Sequence, residues 1–510
     1  MGKKRRLKSK HGSAQASGKK IFDAGCSALF ALIAQSSHKI FLAFILVVAC
    51  AIQGYYLYVT SDQPVWWDEA EYLLKARSIA LGTPDTGFWN ARPIAMPIVL
   101  SGFYLVGLGE QEIRIAMALI SVVSVYLLYR IGKELFRTEV GLIAALLYAL
   151  FNMNVFFSMR ILTEVPSVTL GLLGLVFYLS GNRRHLWLVC PVLALATLVR
   201  FPTFLFFIVV VVHVALTKGP KALRNKDYGL SLILGFATAL PYLMWMYIEF
   251  GNPLHAVLAS AGHLPPSEDW HLRFGILQQY LWDVLNRLPV VLFVILALGA
   301  LMLTKSLWHP KAARHGWSRD GAGWLLLVIW LIIPTAYFGL MVGAYVPRYI
   351  LMVYPALILM IAFAIDRGYS LFGQYSRLAA IAFAAIILSV GGYQMLQSTD
   401  RSVVSKVGSY ESLRSASLWI KQHGVQGDMV VTQSRAQVTY YTAMKTLGIP
   451  GTRPEFSALL QQSKPRFVLL TGFERHPDWI RESNVFGQHQ MREVGRFPKD
   501  RPSVLVLESR

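Results

Sequence analysis

Hydrophobic residues in this chain come in long unbroken runs rather than in alternation with polar ones. The run at 39–60, KIFLAFILVVACAIQGYYLYVT, supplies the roughly 20 predominantly apolar residues that a helix needs to cross a bilayer. Comparable runs at 112–131, 139–157, 164–180, 185–200, 202–217, 228–248, 288–304, 323–343, 349–366 and 378–397 bring the predicted membrane helices to about eleven. Beyond residue 397 polarity rises. Short stretches of β-like composition follow at 428–432 (DMVVT), 466–471 (RFVLLT) and 503–508 (SVLVLE), with helical patterns at 412–423 and 454–462. The pattern predicts a polytopic α-helical membrane domain over 39–397 and a small α/β soluble domain over 398–510.

Charge between the runs predicts their orientation. The loops at 130–137, 181–185, 217–226, 305–319 and 367–377 all contain basic residues, which places them on the cytoplasmic side together with the basic tail 1–38. An odd number of spans then puts 398–510 outside the cytoplasm, with the plasma (inner) membrane as the expected location. Two long loops, 61–112 and 249–287, lie on the same outer side. The first opens with PVWWDEAEYLLKARSIALG, whose apolar spacing suits a helix lying on the membrane surface. The stretch 94–108, about 15 residues with Pro and Gly, is too short for a span and is predicted to be interfacial or re-entrant.

Composition agrees: 55% of residues are hydrophobic and 15% charged, far from a soluble globular domain. The net charge of +21 does not indicate nucleic acid, because the basic residues are spread over loops and tails instead of forming one patch interleaved with aromatics. Three cysteines make neither a disulfide framework nor a zinc spacing.

The informative charges are those on the outer side. Asp68, Glu69, Arg92, Arg160, Glu164, Arg200 and Arg348 all fall at or near the outer ends of spans, where arginine runs against the positive-inside tendency. Guanidinium groups bind phosphate bidentately, so a lipid-linked phosphate is a natural partner. Asp68 and Glu69 diverge by about 100° on a helix, so one can be chemical and the other structural. The bland alternative is two acids favouring a helix N-terminus. At i,i+4 spacing, Glu71 with Lys75 reads as a surface pair, and Arg160 with Glu164 as a possible intrahelical one. In the second outer loop, His263, Glu268 and Asp269 are ligand types for a divalent metal at no defined spacing, which leaves a metal open and no cofactor assigned.

Together these features resemble the GT-C glycosyltransferases, in particular the branch of protein O-mannosyltransferases and lipid A aminoarabinose transferases. The resemblance covers roughly residues 39–400. It rests on the acidic pair Asp68-Glu69 opening the first long loop, Arg92-Pro93 to Pro97, Arg160-x-x-x-Glu164-x-Pro166, and Arg348-Tyr349 before Pro355. It implies transfer of a sugar from a polyprenyl-phosphate donor to a hydroxyl of a lipid, protein or polysaccharide acceptor on the extracytoplasmic face, with inversion. Asp68 would be the general base with Glu69 beside it in the catalytic pair. Arg92, Arg160, Arg200, Arg348 and Tyr349 would hold the donor phosphate, and Glu164 would orient them. The alternative from another class is a multi-span secondary transporter of an anionic substrate, which would place ionisable residues near the midplane of an internal repeat. No such repeat is visible.

Overall fold

A computed structural model of the chain describes residues 37–509, apart from 88–90, 263–269, 308–317, 343, 426, 482–485, 487–490 and 499–502. Helices occupy every predicted run, but they are not uniform spans. Seven are long and apolar enough to cross a membrane: α1 (Ser37–Val59), α4 (Glu110–Leu135), α9 with its leading turn (Phe201–Lys218), α10 (Lys226–Phe250), α14 (Arg319–Leu340), α15 with its leading turn (Pro347–Gly373) and α16 (Arg377–Val404). Two further runs are bent pairs: α5 (Thr138–Leu150) meets α6 (Asn152–Ser158) at 55°, and α12 (Trp270–Asn286) meets α13 (Val290–Leu307) at 106°. The remaining two, α7 (Glu164–Leu179) and α8 (Arg183–Val199), are 16 and 17 residues long, shorter than full crossings. Charged residues cut both, Glu164 opening α7 and Arg200 leaving α8 in an extended conformation.

The bundle is organised around α15, whose most hydrophobic stretch is apolar on every side and 94% buried. A helix of that kind has no solvent or lipid face and can only be central. Elsewhere close packing depends on missing side chains. On α5, a Cβ at Gly141 would lie 2.5 Å from the Tyr129 carbonyl oxygen of α4.

After α1 the chain crosses one end of the bundle as α2 (Trp67–Leu81) and α3 (Ala95–Leu105). α3 has 11 residues, too few to span, as expected for 94–108. The loop 249–287 contains α11 (His255–Gly262) and α12.

The C-terminal residues form a five-stranded sheet in the order β2-β1-β3-β5-β4. β1 (Met429–Val431) is parallel to β2 (Lys445–Leu447) and β3 (Phe467–Thr471), while β5 (Val504–Ser509) is antiparallel to β3 and β4 (Met491–Phe497). α17 (Glu411–His423), α18 (Arg435–Thr442) and α19 (Arg453–Ser463) complete it. The expected strands and two helices are present. β4 escaped notice because its sequence MREVGRF is charged and largely outward-facing, and α18 because RAQVTYYT has strand-like composition.

Gly141→Val should lower the thermal midpoint clearly, since overpacking a filled contact costs about 1–3 kcal/mol. Gly229→Val, on α10 with nothing within 4 Å of the new Cβ, should leave it within about 2 °C. A thermal-shift assay on detergent-solubilised protein compares the two.

Candidate active site

The site is built from the first turn of α2. The chain is extended at Trp66, and Glu69 turns back to accept a hydrogen bond from the Trp66 amide at 2.7 Å. That directs Glu69 into the protein, where it is completely buried. Its carboxylate also accepts the Ile161 amide at 2.8 Å, and it pairs with Arg114 Nη1 at 3.2 Å and Arg160 Nη1 at 3.5 Å. Arg114, on α4, spends its other nitrogens on Glu110 at 3.0 and 2.8 Å. Arg160 lies over the Trp66 ring at 4.2 Å and donates to the carbonyls of Pro64 and Lys406.

These contacts correct three expectations. Glu69 is completely buried and its carboxylate is engaged by two amides and two guanidiniums, which argues against a direct chemical role. Arg160 is 2% exposed and engaged by Glu69, Trp66 and two carbonyls, apart from the cluster of Arg92, Arg200 and Arg348. It precedes α7 instead of riding on it, which removes the i,i+4 pair with Glu164. The predicted Glu71–Lys75 surface pair is also absent: Glu71 is buried against Thr86 and Lys75 bonds Asp85 at 2.9 Å.

Asp68, one residue earlier, projects about 100° away around the helix and meets two guanidiniums. Arg92 Nη2 donates to Oδ1 at 2.8 Å, and Arg348 Nη2 lies 2.6 Å from Oδ2. Burial alone would raise its pKa, but Arg348 and Arg92 overcome that and hold the carboxyl at about 2. Arg348 also reaches Glu164 with Nε at 3.5 Å, and Arg200 Nη1 donates to Glu164 at 2.9 Å. Arg200 lies over the Tyr349 ring, 5.3 Å from its centre. The structure therefore brings together Asp68, Glu164, Arg92, Arg200, Arg348 and Tyr349, and separates Glu69 and Arg160 from them.

Two cavities open on either side of this cluster. One, of about 620 Å³, is lined by Asp68, Arg92, Glu164, Arg200, Arg348 and Tyr349 together with apolar groups such as Phe204, Phe338 and Val342. The other, of about 710 Å³, is lined by aromatic rings, Trp66, Trp67, Phe156, Phe157 and Tyr410, and by Arg287, Arg401 and Lys406. Asp68 and Arg348 are common to both and stand in the wall between them. His263, Glu268 and Asp269 lie outside the described residues. Among the described residues no three His, Cys, Asp or Glu side chains are placed to hold a metal ion.

Sequence reasoning missed Arg114, Arg287, Lys406 and Tyr410. Arg114 carried a usable signal, an arginine just inside the outer end of a predicted span. Lys406 and Tyr410 sit in a polar connector with no pattern of their own.

A family model described as dolichyl-phosphate-mannose-protein mannosyltransferase matches residues 91–245. An undecaprenyl phosphate-alpha-4-amino-4-deoxy-L-arabinose arabinosyl transferase from Pseudomonas aeruginosa is 27% identical over 330 residues, 58% of this chain and 55% of that protein. The chain thus aligns with about half the length of the curated relatives it matches. The crystal structure of ArnT from Cupriavidus metallidurans bound to undecaprenyl phosphate superposes with a TM-score of 0.67 at 16% identity, covering 91% of this chain and 97% of that one. The chain shares the fold of that structure. A second structural neighbour is the archaeal oligosaccharyltransferase AglB from Archaeoglobus fulgidus, in complex with an inhibitory peptide and a dolichol-phosphate. Its TM-score is 0.60 at 12% identity, over 85% of this chain and 69% of that one.

Because the folded-state pKa of Asp68 is depressed, its ion pairs stabilise the fold above the ordinary carboxyl range and lose that effect as pH falls from about 4 through about 2. Asp68→Asn should therefore lower the thermal midpoint by a constant amount between pH 8 and 5. The gap to wild type should narrow below pH 4 in a midpoint-versus-pH series.

Proposed function

We propose that this protein is a membrane glycosyltransferase that moves a sugar from a polyprenyl-phosphate donor to an acceptor hydroxyl on the extracytoplasmic face, with Asp68 as the general base. The observation that carries this is the position of Asp68 and Arg348 in the wall between two cavities. A two-substrate transfer needs the base where the substrates meet and positive charge where the leaving phosphate develops its own.

The cavity holding Arg92, Arg200, Arg348 and Tyr349 takes the donor. Its guanidiniums suit the phosphate, and its apolar walls suit the first isoprene units. The aromatic cavity takes the acceptor. The acceptor oxygen gives its proton to Asp68 as it bonds to the anomeric carbon. The bond from that carbon to the phosphate oxygen breaks, and the electron pair leaves with the phosphate. Attack from the side opposite the leaving group inverts the anomeric centre.

A carboxylate held near pKa 2 is a poor base, so the resting ion pairs must be exchanged during binding. As the donor phosphate draws Arg92 and Arg348 to itself, burial is left to push Asp68 upward in pKa, and its basicity recovers when both substrates are present.

The basic loops support a cytoplasmic N-terminus and an extracytoplasmic 398–510 segment, in a protein of the plasma (inner) membrane. The activity of the relatives and the lipid phosphates bound in the neighbouring structures support a polyprenyl-phosphate donor. The acceptor class, lipid, protein or polysaccharide, is not distinguished by the site.

Purified protein supplied with a panel of polyprenyl-phosphate sugars should release polyprenyl phosphate. Asp68→Asn should lower that turnover by about 10²-fold or more while the protein remains folded; near-normal turnover would sink the assignment. Arg348→Ala should weaken polyprenyl-phosphate binding by about tenfold or more, as expected for a lost charge-assisted hydrogen bond, and Lys75→Ala should not. Equal effects of the two would argue against the phosphate site.

A further inference from the structure

α18 of the C-terminal domain lies against the approach to α2, and three of its side chains, at positions i, i+3 and i+4, make the contact. Gln437, fully buried, donates to the Val65 carbonyl at 2.9 Å, and the Val65 amide donates to Tyr441 OH at 2.8 Å. Both backbone groups of a residue three positions before Asp68 are thus held by the other domain. The Tyr440 hydroxyl donates to Glu110 Oε2 at 2.5 Å. Glu110 accepts Arg114, and Arg114 holds Glu69, the neighbour of Asp68. Arg77, from the second half of α2, donates to the Tyr440 oxygen at 3.3 Å with its guanidinium 4.5 Å above the ring. Burial pushes the Tyr440 phenol far above its usual pKa, so it stays protonated and keeps this donor.

We propose that Gln437, Tyr440 and Tyr441 are positioning residues, and that the C-terminal domain uses them to clamp the α2 N-terminus and fix where the Asp68 carboxylate stands. The role rests on Asp68 acting as base. None of the three lines either cavity, so they act on the rate without touching donor or acceptor. A misplacement of about 1 Å at a reacting group can cost about 10²-fold, and freeing this clamp removes two direct backbone anchors and the end of the Glu110–Arg114–Glu69 chain.

The test uses the full-length protein, with Tyr440→Phe, Tyr441→Phe and the pair, which keep the rings and lose the hydroxyls. Turnover is normalised to the number of polyprenyl-phosphate-binding sites, so an unfolded fraction cancels. The pair should lower kcat by about tenfold while the donor KM and the polyprenyl-phosphate Kd stay within about twofold. If the pair folds poorly, Tyr440→Phe alone should lower kcat by about threefold with the same constants unchanged. Unchanged kcat per binding site, or a Kd that worsens in step with kcat, overturns the clamp. Failure of the base assignment is separate: it would appear as turnover retained in Asp68→Asn, whatever the tyrosine variants do.

Discussion

The site depends on one buried carboxylate. Glu69 is sealed from solvent and satisfied by two backbone amides and two guanidiniums. A buried charge is tolerable only with such partners, and removing any of them leaves a costly uncompensated group. In return the carboxylate ties together parts of the chain far apart in sequence: the first turn of α2, the Arg114 turn of α4 and the Arg160 segment before α7. Because Asp68 is the preceding residue, the same tie fixes its direction. One acid of the pair is used up so that the other can be aimed.

The aimed acid stands in a balanced field. Asp68 and Glu164 face Arg92, Arg200 and Arg348, two carboxylates against three guanidiniums. The excess of one positive charge matches the single negative charge of a sugar phosphodiester. The same excess accounts for the ion pairs of Asp68 with Arg92 and Arg348: arginines in a low-dielectric cavity take the nearest carboxylate. In the proposed mechanism donor binding and activation of the base are one event, with Arg348 shared between them.

Much of this was legible in the sequence. The positions of the helices follow from apolar runs, and the outer arginines stand out because they oppose the usual charge bias of loops. Helix-end charges misled on detail. Arg160 and Glu164 share a spacing that suggests a pair, yet a break in the chain between them sends one to Glu69 and the other to Arg200 and Arg348. Lys75 looked bound to Glu71, but the loop after α2 folds back and brings Asp85 to it. The second cavity was invisible, because Trp66, Phe156, Arg287 and the Lys406–Tyr410 connector come from four separate places and only the fold assembles them. The clamp was invisible for the same reason, since α18 has a strand-like composition and its partner is more than 300 residues away.

The division of the site into donor and acceptor cavities is the claim on which the account turns. A structure of the protein with polyprenyl phosphate bound tests it most directly. The account predicts the phosphate within hydrogen-bonding distance of Arg348 and at least one of Arg92 and Arg200, with Asp68 released from at least one of its two guanidiniums. A phosphate seated instead among Arg287, Arg401 and Lys406, with the Asp68 ion pairs intact, would contradict it.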